Sequence, residues 1–180
     1  MAFAENNPQY SIIIPVYNGI RYTQECIESI EKYSALGTAE LIVIDNASID
    51  ETPSFLRNQR DCIVITNTVN RGFAAAVNQG LRRARGEYLV VVNNDIVITS
   101  GWLEHFAETI ESNGAYGILG PVTNYISGPQ MLSAVPYSSI PEMHKFARRR
   151  WEQFGAEIEQ ADTLRGFCMF IKREVIEAIG

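Results

Sequence analysis

Short runs dense in isoleucine and valine alternate along the chain with longer stretches whose apolar residues return every three or four positions. That alternation is the pattern of strand–helix–strand units around a mostly parallel sheet. Strands are predicted at residues 10–16, 40–45, 62–67 and 88–93, with a weaker one at 117–120 and a sixth at 167–172. Between the first two, Cys26, Ile27, Ile30 and Tyr33 form one apolar stripe, a helix to be laid on the sheet. Asp50 caps the short helix that Thr52 and Pro53 enter, since proline is tolerated in a first turn where its missing N–H is not needed. Phe73, Val77 and Leu81 mark a third helix; Arg82, Arg83 and Arg85 sit near its negative pole, and Gly86 is expected to stop it. Trp102, Phe106 and Ile110 give a fourth. From 121 to 139 the periodicity gives way to Pro, Gly, Ser, Thr and Asn, an irregular excursion of a length seldom found without function. A polar helix is predicted over 141–154 and another over 173–179, where Val175, Ile176 and Ile179 need something to pack against; the natural chain is expected to continue. The fold class is α/β, a mostly parallel Rossmann-like sheet flanked by helices.

Composition narrows the function. With 46% hydrophobic and 20% charged residues in 180, the chain can bury one sizeable core. Its net charge of −6 argues against nucleic acid as a partner, because coating a polyanion needs an excess of Lys and Arg. Cys26, Cys62 and Cys168 are an odd number in apolar surroundings, which reads as reduced, buried thiols. Residues 1–8 read as a flexible polar lead with no secretory signal, and the apolar runs are too short to cross a bilayer, so a cytoplasmic location is expected.

In a parallel sheet the residues just past the strands converge on one edge. Here they are Tyr17 and Asn18, Asp45 and Asn46, Asn67 with Asn70, and Asn93, Asn94 and Asp95. Any one of these suits a turn, since Asn and Asp bond their own backbone there. Four such ends with scarcely a Lys or Arg point to a ligand crevice. No Gly-x-Gly-x-x-Gly follows the first strand and no Walker-type Gly-Lys-Ser/Thr is present, so the phosphate nests of dinucleotide and P-loop proteins are missing. A divalent cation, Mg2+ or Mn2+, held by Asp95 and completed by substrate phosphates would supply the neutralising charge instead. His105 and His144 read as surface or partly packed, Arg148, Arg149 and Arg150 as a solvated helix face, and Arg165 as a candidate acceptor contact.

Four segments in series carry a resemblance: Ser11-Ile12-Ile13-Ile14-Pro15-Val16-Tyr17-Asn18, Val43-Ile44-Asp45-Asn46-Ala47-Ser48, Asn70-Arg71-Gly72-Phe73-Ala74 with Asn78, and Val92-Asn93-Asn94-Asp95. Together the chain resembles family 2 glycosyltransferases from Tyr10 to Gly180, and Gly166-Phe167-Cys168-Met169 with Arg173-Glu174-Val175 is similar to the family's later strand and helix. The resemblance implies a GT-A-like fold with a nucleotide-sugar-binding region over 9–120 and the start of an acceptor-side region over 121–180. It implies an inverting hexosyl-type transferase working from a UDP-, dTDP- or GDP-sugar on a saccharide or lipid-linked acceptor, and it allows peripheral association at the inner face of a membrane. Pro15, Val16 and Tyr17 would form the wall for the base, and Asp45 would accept a base N–H. Asn18 and Asn46 would line the same pocket, Asn70, Gly72, Phe73 and Asn78 would shape the ribose and diphosphate side, and Asn93 would contact ribose or sugar beside Asn94. Asp95 would be the metal ligand. Asn93 departs from the family's Asp-x-Asp pattern, which weakens metal affinity unless diphosphate is present. No catalytic base is assigned; it is expected beyond Gly180. The alternative is a non-catalytic nucleotide- or sugar-nucleotide-binding module.

Overall fold

The computed structural model describes residues 7–34 and 36–179. The flexible lead expected over 1–8 thus falls mostly outside the described residues. Six strands form one sheet: β1 (Tyr10–Val16), β2 (Ala39–Asp45), β3 (Ile63–Thr66), β4 (Tyr88–Val92), β5 (Ile118–Leu119) and β6 (Cys168–Lys172), in the order β3-β2-β1-β4-β6-β5. Every strand lies within one residue of its expected bounds. The first four are parallel, with Val16 beside Asp45 and Asp45 beside Thr66. β6 runs antiparallel to both β4 and β5, so it begins at the edge where the other strands end. Strand direction is a tertiary property, and the apolar pattern does not encode it.

β1, β2 and β4 are buried along their whole length because helices cover both faces. Successive side chains point to opposite faces. Ile12 and Ile14 therefore meet Cys26, Ile27 and Ile30 of α1 (Ile20–Tyr33) and Leu103 and Ile110 of α4 (Trp102–Glu111). Ile13, with Ile42 and Ile44, meets Ala76 and Val77 of α3 (Phe73–Arg83), and α6 (Arg173–Ile179) adds Val175 and Ile176 to that second layer. Ile179 stays 73% exposed, without the packing partner it was expected to need. Burial pushes the Cys26 and Cys168 thiols up to about 12 and the half-buried Cys62 up to about 11, in keeping with unreactive free thiols.

The edge where the strands begin is fastened by one carboxylate. Glu40 accepts hydrogen bonds from Ser11 Oγ (2.6 Å), from the Arg85 backbone N–H (2.6 Å) and from Arg85 Nε and Nη2 (3.0 and 2.8 Å), while Ser11 Oγ accepts from Gly86 N–H at 2.7 Å. Two expectations are corrected here. Arg85 lies past the end of α3 and pairs with Glu40 instead of meeting the helix dipole. α3 stops at Arg83 with Ala84 already extended, so Gly86 is no stop signal; a Cβ there would stand 2.6 Å from Ser11 N, and the glycine permits the close approach.

The predicted polar helix is α5 (Ile140–Phe154), reached through the irregular excursion after β5. None of its residues is buried. It meets the body through rings: His144 tilts against Tyr33 at 4.5 Å and Trp151 stacks on His105 at 3.6 Å. Both histidines are partly packed, as expected. Among the described residues no helix is long and apolar enough to cross a membrane.

Candidate functional site

The loops beyond β1 and β2 are stitched together. Asn18 (φ 58°) and Gly19 (φ 76°) take left-handed conformations, as does Ala47 (φ 70°) in the turn after β2. Asn18 N–H donates to Ser48 Oγ at 2.8 Å, and Ile49 N–H donates to Asn18 Oδ1 at 2.8 Å. Asp50 accepts from Thr52 N–H (3.0 Å) at the start of α2 (Thr52–Leu56), as expected, and also from Ile20 N–H (3.1 Å) at the start of α1. One short side chain thereby caps two helices.

The third loop is held by amides. Asn46 Nδ2 donates to Asn70 Oδ1 (2.8 Å) and to the Gly72 carbonyl (3.3 Å), and Asn46 Oδ1 accepts from Asn67 Nδ2 and Arg71 N–H, both at 3.0 Å. Asn67 and Gln79 of α3 exchange a reciprocal pair of bonds at 2.8 and 2.9 Å. The fourth loop leaves β4 with Asn93 N–H donating to the Phe167 carbonyl (2.8 Å), which is how antiparallel β6 reaches this rim. Asn94 Nδ2 donates to Thr23 Oγ1 (2.9 Å) and to the Asn18 carbonyl (3.4 Å).

These loops enclose an open cleft of about 280 Å³, lined by Pro15, Val16, Tyr17, Asn46, Asn70, Gly72, Phe73, Asn93, Asn94 and Asp95. Ten of the thirteen expected site residues thus come together from four strand ends. Three do not line it. Asn18 serves the loop–loop stitching just described. Asp45 is 1% exposed beneath the rim, with Oδ1 accepting Ser48 N–H at 2.9 Å. Asn78 lies exposed on α3 and is not among the lining residues.

What the lining offers a ligand follows from which polar atoms are still free. Asn93 Oδ1 is buried and unpartnered, an arrangement uncommon enough to call for a donor from elsewhere. Asn70 has both oxygen lone pairs occupied, by Asn46 Nδ2 and Gly72 N–H, while its Nδ2 makes no hydrogen bond to the described residues. The Asp95 carboxylate is exposed and makes no hydrogen bond or ion pair to them. Tyr17 is 50% and Phe73 49% exposed, which leaves aromatic surface on two sides of the cleft. α3 also opens onto it: the helix begins after Gly72 (φ 79°) with no side-chain cap, so its first N–H groups are unsatisfied donors at the positive pole of the dipole. Sequence reasoning put Gly72 and Phe73 on the diphosphate side but did not single out the uncapped helix start, although Gly72 directly before the periodic run was a usable signal. No Lys or Arg lines the cleft, and among the described residues no group of three or more His, Cys, Asp and Glu is arranged to hold a metal. Any bound cation would rest on Asp95 and on oxygens of its ligand, a donor set that fits Mg2+ or Mn2+.

The excursion after β5 leaves from the same rim. Buried Gln130 donates to the Pro121 carbonyl (2.9 Å) and accepts Arg165 N–H (2.6 Å), while Arg165 Nε reaches the Ser127 carbonyl at 3.1 Å. Arg165 is therefore partly committed to bracing the excursion.

The profile described as "Glycosyl transferase family 2" matches residues 11–180. Glycosyltransferase GlyG of Streptococcus pneumoniae serotype 4 is 28% identical over 119 residues, 64% of this chain and 39% of its own length. Glycosyltransferase AglE of Haloferax volcanii is 26% identical over 179 residues, 96% of this chain and 55% of its own. Among solved structures, the mannosyltransferase PcManGT from Pyrobaculum calidifontis in complex with GDP-Man and Mn2+ superposes with a TM-score of 0.65 at 21% identity, over all of this chain and 49% of the other. S. aureus TarS 1-349 in complex with UDP-GlcNAc gives 0.67 at 22%, over 94% of this chain and 47% of the other. The likeness to these structures gives the fold as GT-A. The chain spans roughly two fifths to just over half the length of these four proteins.

Proposed function

Since the chain belongs to glycosyl transferase family 2, we propose that its cleft binds the nucleotide-sugar donor of an inverting transferase that passes the sugar to a hydroxyl acceptor. The observation that carries this reading is the convergence of Tyr17, Asn70, Phe73, Asn93 and Asp95 from separate strand ends on one cleft. Two solved proteins of the same fold hold GDP-Man with Mn2+ and UDP-GlcNAc, which supports a nucleotide-diphosphate sugar as the ligand class.

In this reading Tyr17 stacks on the base against Pro15 and Val16, where an aromatic face accepts any heterocycle. Asn93 Oδ1 accepts a hydroxyl of the ribose or sugar, and Asn70 Nδ2 donates to the ligand. The diphosphate lies towards the uncapped start of α3, whose N–H groups suit an anion. Asp95 holds a divalent cation together with the phosphates, and that ion, when bound, stabilises the charge that grows on the departing diphosphate. Asp45 accepts Ser48 N–H through Oδ1 from beneath the rim, and it would take a base N–H only from a ligand that reaches below the lining. The proton of the acceptor hydroxyl goes to a carboxylate outside these residues, because Asp95 is the sole acidic residue in the lining and is committed to the cation. The acceptor, a saccharide or lipid-linked hydroxyl, approaches along the braced excursion between β5 and α5.

A thermal-shift series with UDP, dTDP and GDP, each with and without manganese, tests the reading. Ligand at roughly a hundred times its dissociation constant adds about 2.7 kcal/mol, a rise of several degrees in melting temperature. No shift with any of the three under either condition rejects the donor site.

A further inference from the structure

Asn46 sits in the cleft wall, yet it has nothing left to offer a ligand. An amide side chain has two N–H donors and two oxygen lone pairs, four bonds at most. All four are taken inside the chain, by Asn70 Oδ1, the Gly72 carbonyl, Asn67 Nδ2 and Arg71 N–H, and the residue is 4% exposed. Its partners are the loop that supplies Asn70, Gly72 and Phe73 to the cleft. That loop has little else to hold it: Thr68, Val69, Asn70 and Arg71 are exposed, and among the described residues no backbone–backbone hydrogen bond ties them to the sheet. Asn67 extends the same fastening into α3 through its reciprocal pair with Gln79.

We infer that Asn46 is a positioning residue, a latch that fixes the 67–72 loop at the end of β2 and so sets where Asn70, Gly72 and Phe73 stand, without itself touching the bound nucleotide. The inference rests on the donor-site reading for the identity of that nucleotide, and on the hydrogen bonds alone for the latch. A free asparagine in the lining would act by contact, whereas a fully bonded one acts through the wall it holds.

Amide hydrogen exchange of the nucleotide-free chain, followed residue by residue in NMR spectra, separates these roles. Asn46→Ala removes all four bonds, and exchange at Arg71 rises by about tenfold or more, as expected for an exposed loop that loses its anchors. Asn46→Asp keeps the two accepted bonds but sets a carboxylate oxygen against Asn70 Oδ1 and the Gly72 carbonyl. Arg71 then stays protected while Gly72 exchanges faster. Calorimetric titration of the folded variants with UDP, dTDP and GDP in the presence of manganese gives the second readout, a dissociation constant about tenfold weaker for the wild type's preferred nucleotide. A residue with a purely stabilising role would lower the melting temperature and leave that constant unchanged, which overturns the latch. Loss of affinity with unchanged exchange at Arg71 and Gly72 overturns it in favour of direct contact. If Asn46→Ala does not fold, the graded signature of Asn46→Asp decides alone. Should the wild type bind none of the three nucleotides, the donor reading fails, and the exchange data still decide the latch.

Discussion

Replacing Gly80 by alanine pits two effects of opposite sign against each other at the point where α3 lies on the sheet. In an exposed helix interior, glycine to alanine is favourable by about 1 kcal/mol, because alanine has less backbone entropy to lose. At Gly80 the added methyl would run into Ile13 Cγ2 and stand 2.9 Å from Ile44 Cδ1, where carbon atoms rest at about 3.5–4.0 Å. Ile44 Cδ1 is a chain end and can rotate. Ile13 cannot: its Cγ2 branches from a stiff Cβ on the central strand, and the residue is fully buried. The helix must therefore lift. Overpacking of this kind costs about 1–3 kcal/mol, and a clash against a strand buried along its length and paired on both sides belongs at the upper end. Setting the propensity gain against it leaves a net loss of about 1–2 kcal/mol, a fall in melting temperature of about 2–8 °C for a chain of this size.

Urea denaturation followed by circular dichroism measures this directly, and an unchanged slope would confine the effect to stability. Gly80 lies seven residues after Phe73, about 10 Å along the helix axis. Lifting the helix at Gly80 shifts the Gly72–Phe73 end as well, so nucleotide affinity should fall with stability. A Gly80→Ala chain as stable as wild type, or more so, would refute the reasoning, because it would mean that propensity outweighs packing and that α3 is free to move on the sheet.

Glu40→Gln should destabilise by about 2–3 kcal/mol in the same assay, since it weakens the charge-assisted bonds to Arg85 at a side chain only 3% exposed; the partial exposure of Arg85 keeps the loss below that of a fully buried pair. The histidines predict an acid limb. Burial, joined by the Lys32 ammonium, holds His144 below its ordinary value of 6.5, and burial does the same for His105 against the opposing pull of Glu104 and Glu108. Folded-state values lowered in this way contribute stability that is complete above pH 6.5 and is lost as the pH falls through them. The melting temperature should therefore fall as the pH drops below about 6.5, and His144→Phe, which keeps a ring against Tyr33, should flatten the fall; an equal slope in both proteins would discount His144. Asp95→Ala should abolish the manganese dependence of nucleotide binding and leave the unfolding free energy of the free chain within about 0.5 kcal/mol of wild type, the effect typical of an exposed residue without partners.

The sequence carried the elements and the rim, but not the fate of each side chain. Unbroken runs such as Ile12-Ile13-Ile14 and Leu41-Ile42-Val43-Ile44 made the inner strands legible, because burial on both faces leaves no polar phase to misread. The direction of β6 was illegible, since parallel and antiparallel strands share one apolar pattern. The partner of Arg85 was hidden for a related reason: Glu40 is 45 residues away, and only the register of β1 with β2 and the close approach of Gly86 bring it near. Asp45 shows the limit most clearly. Its position at a strand end was read correctly, yet position alone does not distinguish a carboxylate facing the cleft from one with an oxygen turned to Ser48 N–H beneath it.

Two explanations of the polar rim, turn chemistry and ligand chemistry, are compatible in this structure. Asn18, Asn46 and Asn94 do what Asn does in turns, bonding neighbouring loops, and through them the four strand ends become one rigid surface. Rigidity is what gives the remaining atoms value, because a buried acceptor such as Asn93 Oδ1 or an unpaired carboxylate such as Asp95 discriminates between ligands only if the loop behind it cannot relax. A rim made wholly of ligand-facing amides would fold back on itself to satisfy its own hydrogen bonds. A rim made wholly of bracing amides would have nothing to bind with. In this cleft the division runs by residue, and it follows that changes at the bracing positions should alter affinity together with loop exchange, whereas changes at Asn93 and Asp95 should alter affinity alone.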